Sequence, residues 1–328
     1  MIITKTPLRV SFVGGGSDIE NHYRKYSGSV ISSAINQYVY ITVKKKFDSG
    51  IRFSYSSTEN VNHYSELKHE LCKQILDRYK PKHGIELVSI SDIPSKGTGL
   101  GSSSTFAVGL INALSKYNNK LLSPREIAEA ACDTEINRCK SPIGKQDQYI
   151  AALGGFRKIN FHTDGSVTSE VLPISSDTYE KLNNELLYFY LGGYRSTNLI
   201  LSDQTSAKDK NKKTQLLQEM TKLTMPLSDA LMSGATSEIG GILHENWLMK
   251  KSLSKLISSN EIDEIYEQGR SLGATGGKLL GAGGGGFMMF YAPNQGVKKR
   301  LLQEFSNLKR CDFSLNQAGS TVVYHENE

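Results

Sequence analysis

"DIPSKGTGLGSSSTF", residues 92–106, places Gly97, Gly99 and Gly101 within five positions and follows them with Ser102, Ser103 and Ser104. Glycine permits positive φ and close backbone approach, and serines at a helix start satisfy free N–H groups or offer oxygens to a ligand. Upstream, "GIELVSISDI" (84–93) has the β-branched content of a strand. Downstream, Phe106, Leu110, Ala113, Leu114 and Tyr117 recur at helical spacing. The local order is strand, glycine loop, helix. Such a loop, with the positive end of a helix dipole behind it, can surround an anion; it can also be a tight connection capped by serine.

Three familiar glycine signatures fail. No G-x-x-x-x-G-K-[ST] string exists, and Thr105 stands where a nucleophile elbow needs its second glycine. Gly281, Gly283 and Gly286 satisfy G-x-G-x-x-G literally, but the apolar strand "FMMFY" follows them where a dinucleotide site needs a helix.

The 328-residue chain, 38% hydrophobic and 22% charged, has the composition of an ordinary globular protein and length for two medium domains. Its formal charge of +6 suits an anionic small substrate. The basic clusters Lys44–Lys46, Lys210–Lys213 and Lys298–Arg300 lack interleaved aromatics or a recognition motif, so nucleic acid is not an expected partner. Cys72, Cys132, Cys139 and Cys311 form no C-x-x-C pair, and the histidines give no ligand spacing for zinc. "MIITKTPLRVSF" alternates like a strand and lacks an apolar signal core, and nowhere do about 18 apolar residues run together. The expectation is a cytoplasmic protein with no membrane partner.

"SPRE" announces a second helix: Ser123 as N-cap, Pro124 at the first position and Glu126 completing a capping box, running to about Cys139. Ala128, Ala131, Cys132, Glu135 and Cys139 then share one face, which puts a carboxylate among small apolar side chains. The polar stretch 173–185 reads as a junction, giving domains 1–178 and 179–328, and "LLYFYL" (186–191) reads as a buried strand. Strands are also expected at 1–13, 38–46 and 320–325, a surface loop at 203–214, and helices near 214–232, 238–258, 261–272 and 297–308. Separate helical and strand runs indicate an α+β plan.

Three stretches in order resemble the motifs of the galactokinase, homoserine, mevalonate and phosphomevalonate (GHMP) kinase superfamily. They are "PLRVSFVGGGSD" (7–18), "IPSKGTGLGSSST" (93–105) and "GKLLGAGGGGFMMF" (277–290). The resemblance spans almost the whole chain. It implies an N-terminal domain like domain 2 of ribosomal protein S5, a ferredoxin-like C-terminal domain, and an active site between them that uses ATP and Mg²⁺. Carried over by motif, Lys96, Gly97, Thr98, Gly99, Leu100, Gly101, Ser102, Ser103 and Ser104 would bind ATP, and Ser103 with Glu135 would hold Mg²⁺.

"SPIGKQDQYIAALGG" (141–155) matches the segment in which many members place a catalytic aspartate, here Asp147; Arg9 matches the first-motif cation beside it. A carboxylate there can accept the acceptor's hydroxyl proton, and a cation can offset charge on the phosphoryl oxygens. Where galactokinases carry Gly-Glu-His-Thr-Asp, this chain has Gly14, Gly15, Gly16, Ser17 and Asp18. A sugar contact by Asp18 is implied, and the added glycines open space. The wording of the motifs is most similar to bacterial D-glycero-D-manno-heptose 7-phosphate kinases, with fucokinase-type enzymes as the alternative. Gly15, Gly16, Ser17, Asp18, Gly283, Gly284 and Gly285 are the implied acceptor contacts. A sugar phosphate would need a basic clamp, for which Lys96, Arg138, Lys145 and Arg195 are candidates. The sequence leaves homodimerisation open.

Overall fold

A computed structural model describes residues 1–94, 97–193, 197–205 and 209–326. Lys96 and Arg195 lie outside the described residues. The strands are β1 (Ile2–Val13), β2 (Gly28–Lys45), β3 (Ile51–Ser54), β4 (Thr58–Val61), β5 (Ile85–Ser91), β6 (Phe156–Phe161), β7 (Val167–Val171), β8 (Leu186–Tyr190), β9 (Gly276–Leu279), β10 (Phe287–Tyr291), β11 (Lys309–Cys311), β12 (Leu315–Asn316) and β13 (Thr321–His325). The α-helices are α1 (Glu20–Tyr26), α2 (Glu70–Tyr79), α3 (Ser102–Tyr117), α4 (Pro124–Cys132), α5 (Gln146–Leu153), α6 (Ser176–Glu185), α7 (Thr197–Thr205), α8 (Lys210–Lys222), α9 (Thr224–Ser233), α10 (Ile239–Lys251), α11 (Asn260–Ser271) and α12 (Gln295–Glu304).

One mixed sheet runs in the order β13-β1-β2-β5-β3-β4, with β6 and β12 also paired to the long β2 and β7 beyond β6. Only its second half, 38–46, is legible as a strand in the sequence. The first half carries Ser29, Ser32 and Ser33 where β-branched residues would signal a strand, and each hydroxyl has a partner: Asn160, Gln146 and the Ala34 carbonyl. Buried hydroxyls are tolerated when hydrogen-bonded in this way. The last strands, β12 and β13, return from the far end of the chain to this first sheet, so residues 179–328 are not confined to the second one.

The second sheet is antiparallel in the order β11-β8-β10-β9. Strand, helices, two strands, helix, strand, with spatial order fourth, first, third, second, is the ferredoxin-like arrangement. Its central strands are buried on both faces. Leu186 and Tyr188 of β8 join the core shared with the first sheet, while Leu187 and Phe189 join a second core with Trp247, Tyr266 and Phe305. Two buried faces explain why "LLYFY" and "FMMFY" show no polar alternation.

Several boundaries differ from the sequence reading. The helix expected over 214–232 is two, broken at Leu223, because Pro226 in the first turn of α9 has no N–H to continue the ladder. The helix expected over 238–258 stops at Lys251. The surface loop expected over 203–214 holds the end of α7 and the start of α8. Past α4, which has the full capping box at Ser123, the chain widens into a π turn over Asp133–Arg138, with the Cys139 N–H donating to the Thr134 carbonyl. Among the described residues no helix is long and apolar enough to cross a membrane.

His22 on α1 is buried and its Nε2 has no hydrogen-bond partner among the described residues; desolvation pushes its pKa down to about 4. The unfolded chain therefore binds this proton first as pH falls from about 6.5, and stability is lost between there and pH 4. Replacing His22 by Phe should flatten that limb of the unfolding free energy against pH; an unchanged slope in urea melts would remove the assignment.

Candidate active site

The two glycine runs meet. Gly99 and Gly281 both adopt positive φ, +73° and +68°, and a Cβ on Gly281 would lie 2.4 Å from the Gly99 Cα. Backbone-to-backbone contact of this kind excludes any side chain. A cavity of about 370 Å³ opens beside this seam, lined by Gly97–Ser104 on one side and Gly15, Gly16 and Asp18 on the other, with Arg9 and Asp147 between.

The glycine loop feeds directly into α3. Its N-cap is Gly101, in the left-handed region, and no side chain caps it, so Ser102–Ser104 occupy the first turn rather than closing it. That settles the alternative left open by the sequence: the serines are not caps. Ser102 Oγ bonds Thr98 Oγ1 at 3.3 Å, and Ser103 Oγ donates to Glu135 Oε1 at 2.8 Å. First-turn amides, the dipole and a free approach suit an anion.

Glu135 sits in the π turn, fully buried, with Oε2 accepting from Gln148 Nε2 at 2.6 Å. Desolvation raises its pKa to about 7, against hydrogen bonds from Ser104, Gln148 and Ser103 that lower it. A buried carboxylate held by neutral donors alone is a site that a cation would stabilise.

Arg9 and Asp147 form a bidentate pair: Nε to Oδ1 at 2.7 Å and Nη2 to Oδ2 at 2.8 Å. The remaining Nη1 donates to the Gly99 carbonyl at 2.6 Å, so the guanidinium ties the carboxylate to the glycine loop. Asp147 occupies the first turn of α5 and its side chain keeps 23% exposure, open to the cavity. Asp18 is buried, with Oδ1 accepting from the Gly16 N–H and Gln146 Nε2 and Oδ2 accepting from the Gln146 N–H. Burial raises its pKa, and the Gln146 amide works against that.

Other residues expected at the site are elsewhere. Ser17 exchanges two 3.1 Å hydrogen bonds with the Ser29 backbone and does not line the cavity. Gly283, Gly284 and Gly285 pack against the Ile257 and Gly192–Gly193 backbone, and Gly281 and Ala282 line the cavity in their place. Arg138 pairs with Asp77 at 3.1 Å and Asp133 at 3.9 Å on the surface. Lys145 donates to the Gly165 carbonyl and lies over the Tyr23 ring, in a separate cleft.

Sequence reasoning missed Ser11, Gln146, Gln148, Lys250 and Lys278. The glutamines flank Asp147 in "GKQDQY", and Lys278 stands inside the third glycine motif, so a signal existed for these three. Lys250 had none: "MKKS" does not tell the buried lysine from its half-buried neighbour.

Models of the GHMP kinase N-terminal and C-terminal domains match residues 66–155 and 227–310. A D-glycero-alpha-D-manno-heptose 7-phosphate kinase of Campylobacter jejuni is 31% identical over 302 residues, 88% of this chain and 89% of that protein. The chain belongs to the GHMP kinase family. Members of this family use ATP as phosphate donor, and this GHMP kinase is a phosphotransferase of the sugar-kinase kind. The bifunctional fucokinase/GDP-fucose pyrophosphorylase of Arabidopsis thaliana is 23% identical over 93% of the chain, which spans 31% of that protein. A crystal structure of a D-glycero-D-manno-heptose 1-phosphate kinase from Bacteroides thetaiotaomicron superposes with a TM-score of 0.81 over all of both chains, at 22% identity. That likeness bears on the fold alone, and with the sheet orders it establishes the two-domain GHMP architecture.

Proposed function

We propose that this GHMP kinase transfers the γ-phosphoryl group of ATP to the anomeric (C1) hydroxyl of D-glycero-D-manno-heptose 7-phosphate, giving the 1,7-bisphosphate used to make nucleotide-activated heptose. The observation that carries the reading is the Arg9–Asp147 pair, seated between the glycine loop and the Asp18 segment. The Campylobacter relative's substrate supports the choice of sugar.

The donor's phosphates lie against the Gly97–Ser104 amides, and the acceptor lies toward Gly15, Gly16 and Asp18. Asp147 takes the proton of the attacking hydroxyl while Arg9 keeps its carboxylate aimed and faces the phosphoryl oxygens. Asp18, held by three donors, is pre-set to accept from a sugar hydroxyl. Ser103 and Glu135 fit Mg²⁺, a hard cation that keeps several waters and needs few protein oxygens. When bound, it would neutralise charge on the donor's phosphates. Glu135→Gln keeps the shape and removes the charge, so the KM for MgATP should rise about tenfold or more, with partial rescue by excess Mg²⁺. An unchanged magnesium titration would remove Glu135 from this role.

The test is ³¹P NMR of the protein with Mg²⁺-ATP and the heptose 7-phosphate, beside fucose and galactose. A new anomeric phosphate signal with the 7-phosphate signal retained supports the reading; turnover of fucose in preference overturns it.

A further inference from the structure

Lys250 on α10 and Lys278 on β9 are buried, and both line the cavity. Among the described residues their hydrogen-bond partners are carbonyls: Lys250 Nζ donates to Leu279 at 2.8 Å and Gly281 at 2.6 Å, and Lys278 Nζ to Phe12 at 2.8 Å, while Lys250 also lies over the Trp247 ring. Among the described residues neither ammonium forms an ion pair with a carboxylate. The nearby acids are engaged: Asp147 with Arg9, Asp18 with amides and Glu135 with Ser103 and Gln148. Carbonyl dipoles orient a buried ammonium without cancelling its charge, so each lysine is a group whose charged form a bound anion would stabilise.

A second observation lies in the same cavity. Ser11, on β1 with Phe12, is 6% exposed and lines the cavity, and among the described residues its Oγ has no hydrogen-bond partner. A buried hydroxyl left open in that cavity is a ready donor or acceptor for a bound polar ligand.

The anchor of Lys278 lies on the acceptor side. The donor's phosphates have the glycine loop and the start of α3. Lys278 is anchored to Phe12 on β1, the strand that runs into Gly14–Asp18, and Asn246, one turn before Lys250 on α10, accepts from the Gly14 N–H at 3.3 Å. Lys278 therefore belongs to the scaffold of the acceptor segment, and Lys250 joins that scaffold to Gly281 at the seam with Gly99. Among the described residues Arg138 and Lys145 are occupied elsewhere, and this pair, with Arg9, is buried and basic at the cavity.

We infer that Lys278 and Lys250, with Ser11, form the subsite that binds the phosphate already carried by the acceptor, and so select a sugar phosphate over the free sugar. This rests on the reading of the chain as a sugar-phosphate kinase. Both lysines are pushed toward neutrality by burial, Lys278 well below its ordinary value and Lys250 to about 7, and Arg9 adds to the effect in each. A bound phosphate reverses that pressure and restores the charged pair.

The test is Lys278→Met, which keeps volume and removes the charge. The KM for heptose 7-phosphate should rise about 10²-fold and the preference over unphosphorylated heptose should fall by the same factor, with the loss on the acceptor KM rather than on that for MgATP. The ligand-free variant should melt at or above the wild-type temperature, since the cost of burying an amine without a carboxylate partner is gone, whereas a purely structural lysine would lower it. Inorganic phosphate should raise the Tm of the wild type and not of Lys278→Met. An unchanged acceptor KM, or a loss that falls on MgATP, overturns the subsite. If the wild type turns over no heptose phosphate yet phosphate stabilises it through Lys278, the substrate reading fails and the subsite stands.

Discussion

Asp147→Asn is expected to lower kcat by about 10² to 10⁴-fold, the range for removal of a positioned general base. The substitution is close to isosteric, so the loss belongs to chemistry rather than to packing. It also has a geometric consequence. Arg9 donates to both oxygens of Asp147, and an amide offers one oxygen and one NH₂, which sets donor against donor on one arm of the pair. Arg9 keeps its third bond, to the Gly99 carbonyl, and so stays near the glycine loop. ATP affinity should therefore fall far less than turnover, a split that binding by calorimetry and steady-state kinetics can read. Because base and cation act as a unit, Arg9→Met combined with Asp147→Asn should cost much less than the product of the single effects. A turnover number unchanged in a folded Asp147→Asn protein removes its role as base, and strict additivity removes the coupling to Arg9.

The parts of the site that the sequence made legible are those in which a local pattern carries the chemistry. Glycines 97, 99 and 101 followed by serines specify a loop and a helix start whatever the rest of the chain does, and Glu135 stood out because a carboxylate interrupted a small apolar face. Burial of Glu135 bears that out, while its π turn was invisible because one extra residue in a turn leaves no periodicity to read. The split between α8 and α9 was legible in principle from Pro226, but the apolar spacing on either side masked it. The acceptor side was least legible. Ser17 and the third glycine run match their motifs for reasons of folding, since their contacts are with backbone. Lys250 and Lys278 meet Phe12, Leu279 and Gly281 only through tertiary packing, and a lysine's burial is not written in its neighbours in sequence.

Gly281→Ala is expected to destabilise the protein by several kcal/mol and to abolish ATP binding, although residue 281 lies outside the nucleotide loop. Its φ of +68° disfavours any side chain by about 1 to 2 kcal/mol, and a Cβ 2.4 Å from the Gly99 Cα cannot be accommodated by rotating a side chain, because the obstacle is backbone. Either the two glycine runs separate or Gly99 moves, and both displace the loop that Arg9 holds through the Gly99 carbonyl. Lys250, which donates to the Gly281 carbonyl, shifts with it. Gly241→Ala is the control: Gly241 is exposed in the first turn of α10 with nothing within 4 Å of an added Cβ, so alanine should stabilise by about 0.5 to 1 kcal/mol through helix propensity. Opposite signs for the same chemical change, read as midpoint shifts in urea, would isolate the seam as the cause. A Gly281→Ala protein that melts like the wild type and binds ATP normally would mean that the two runs need not touch for the site to work.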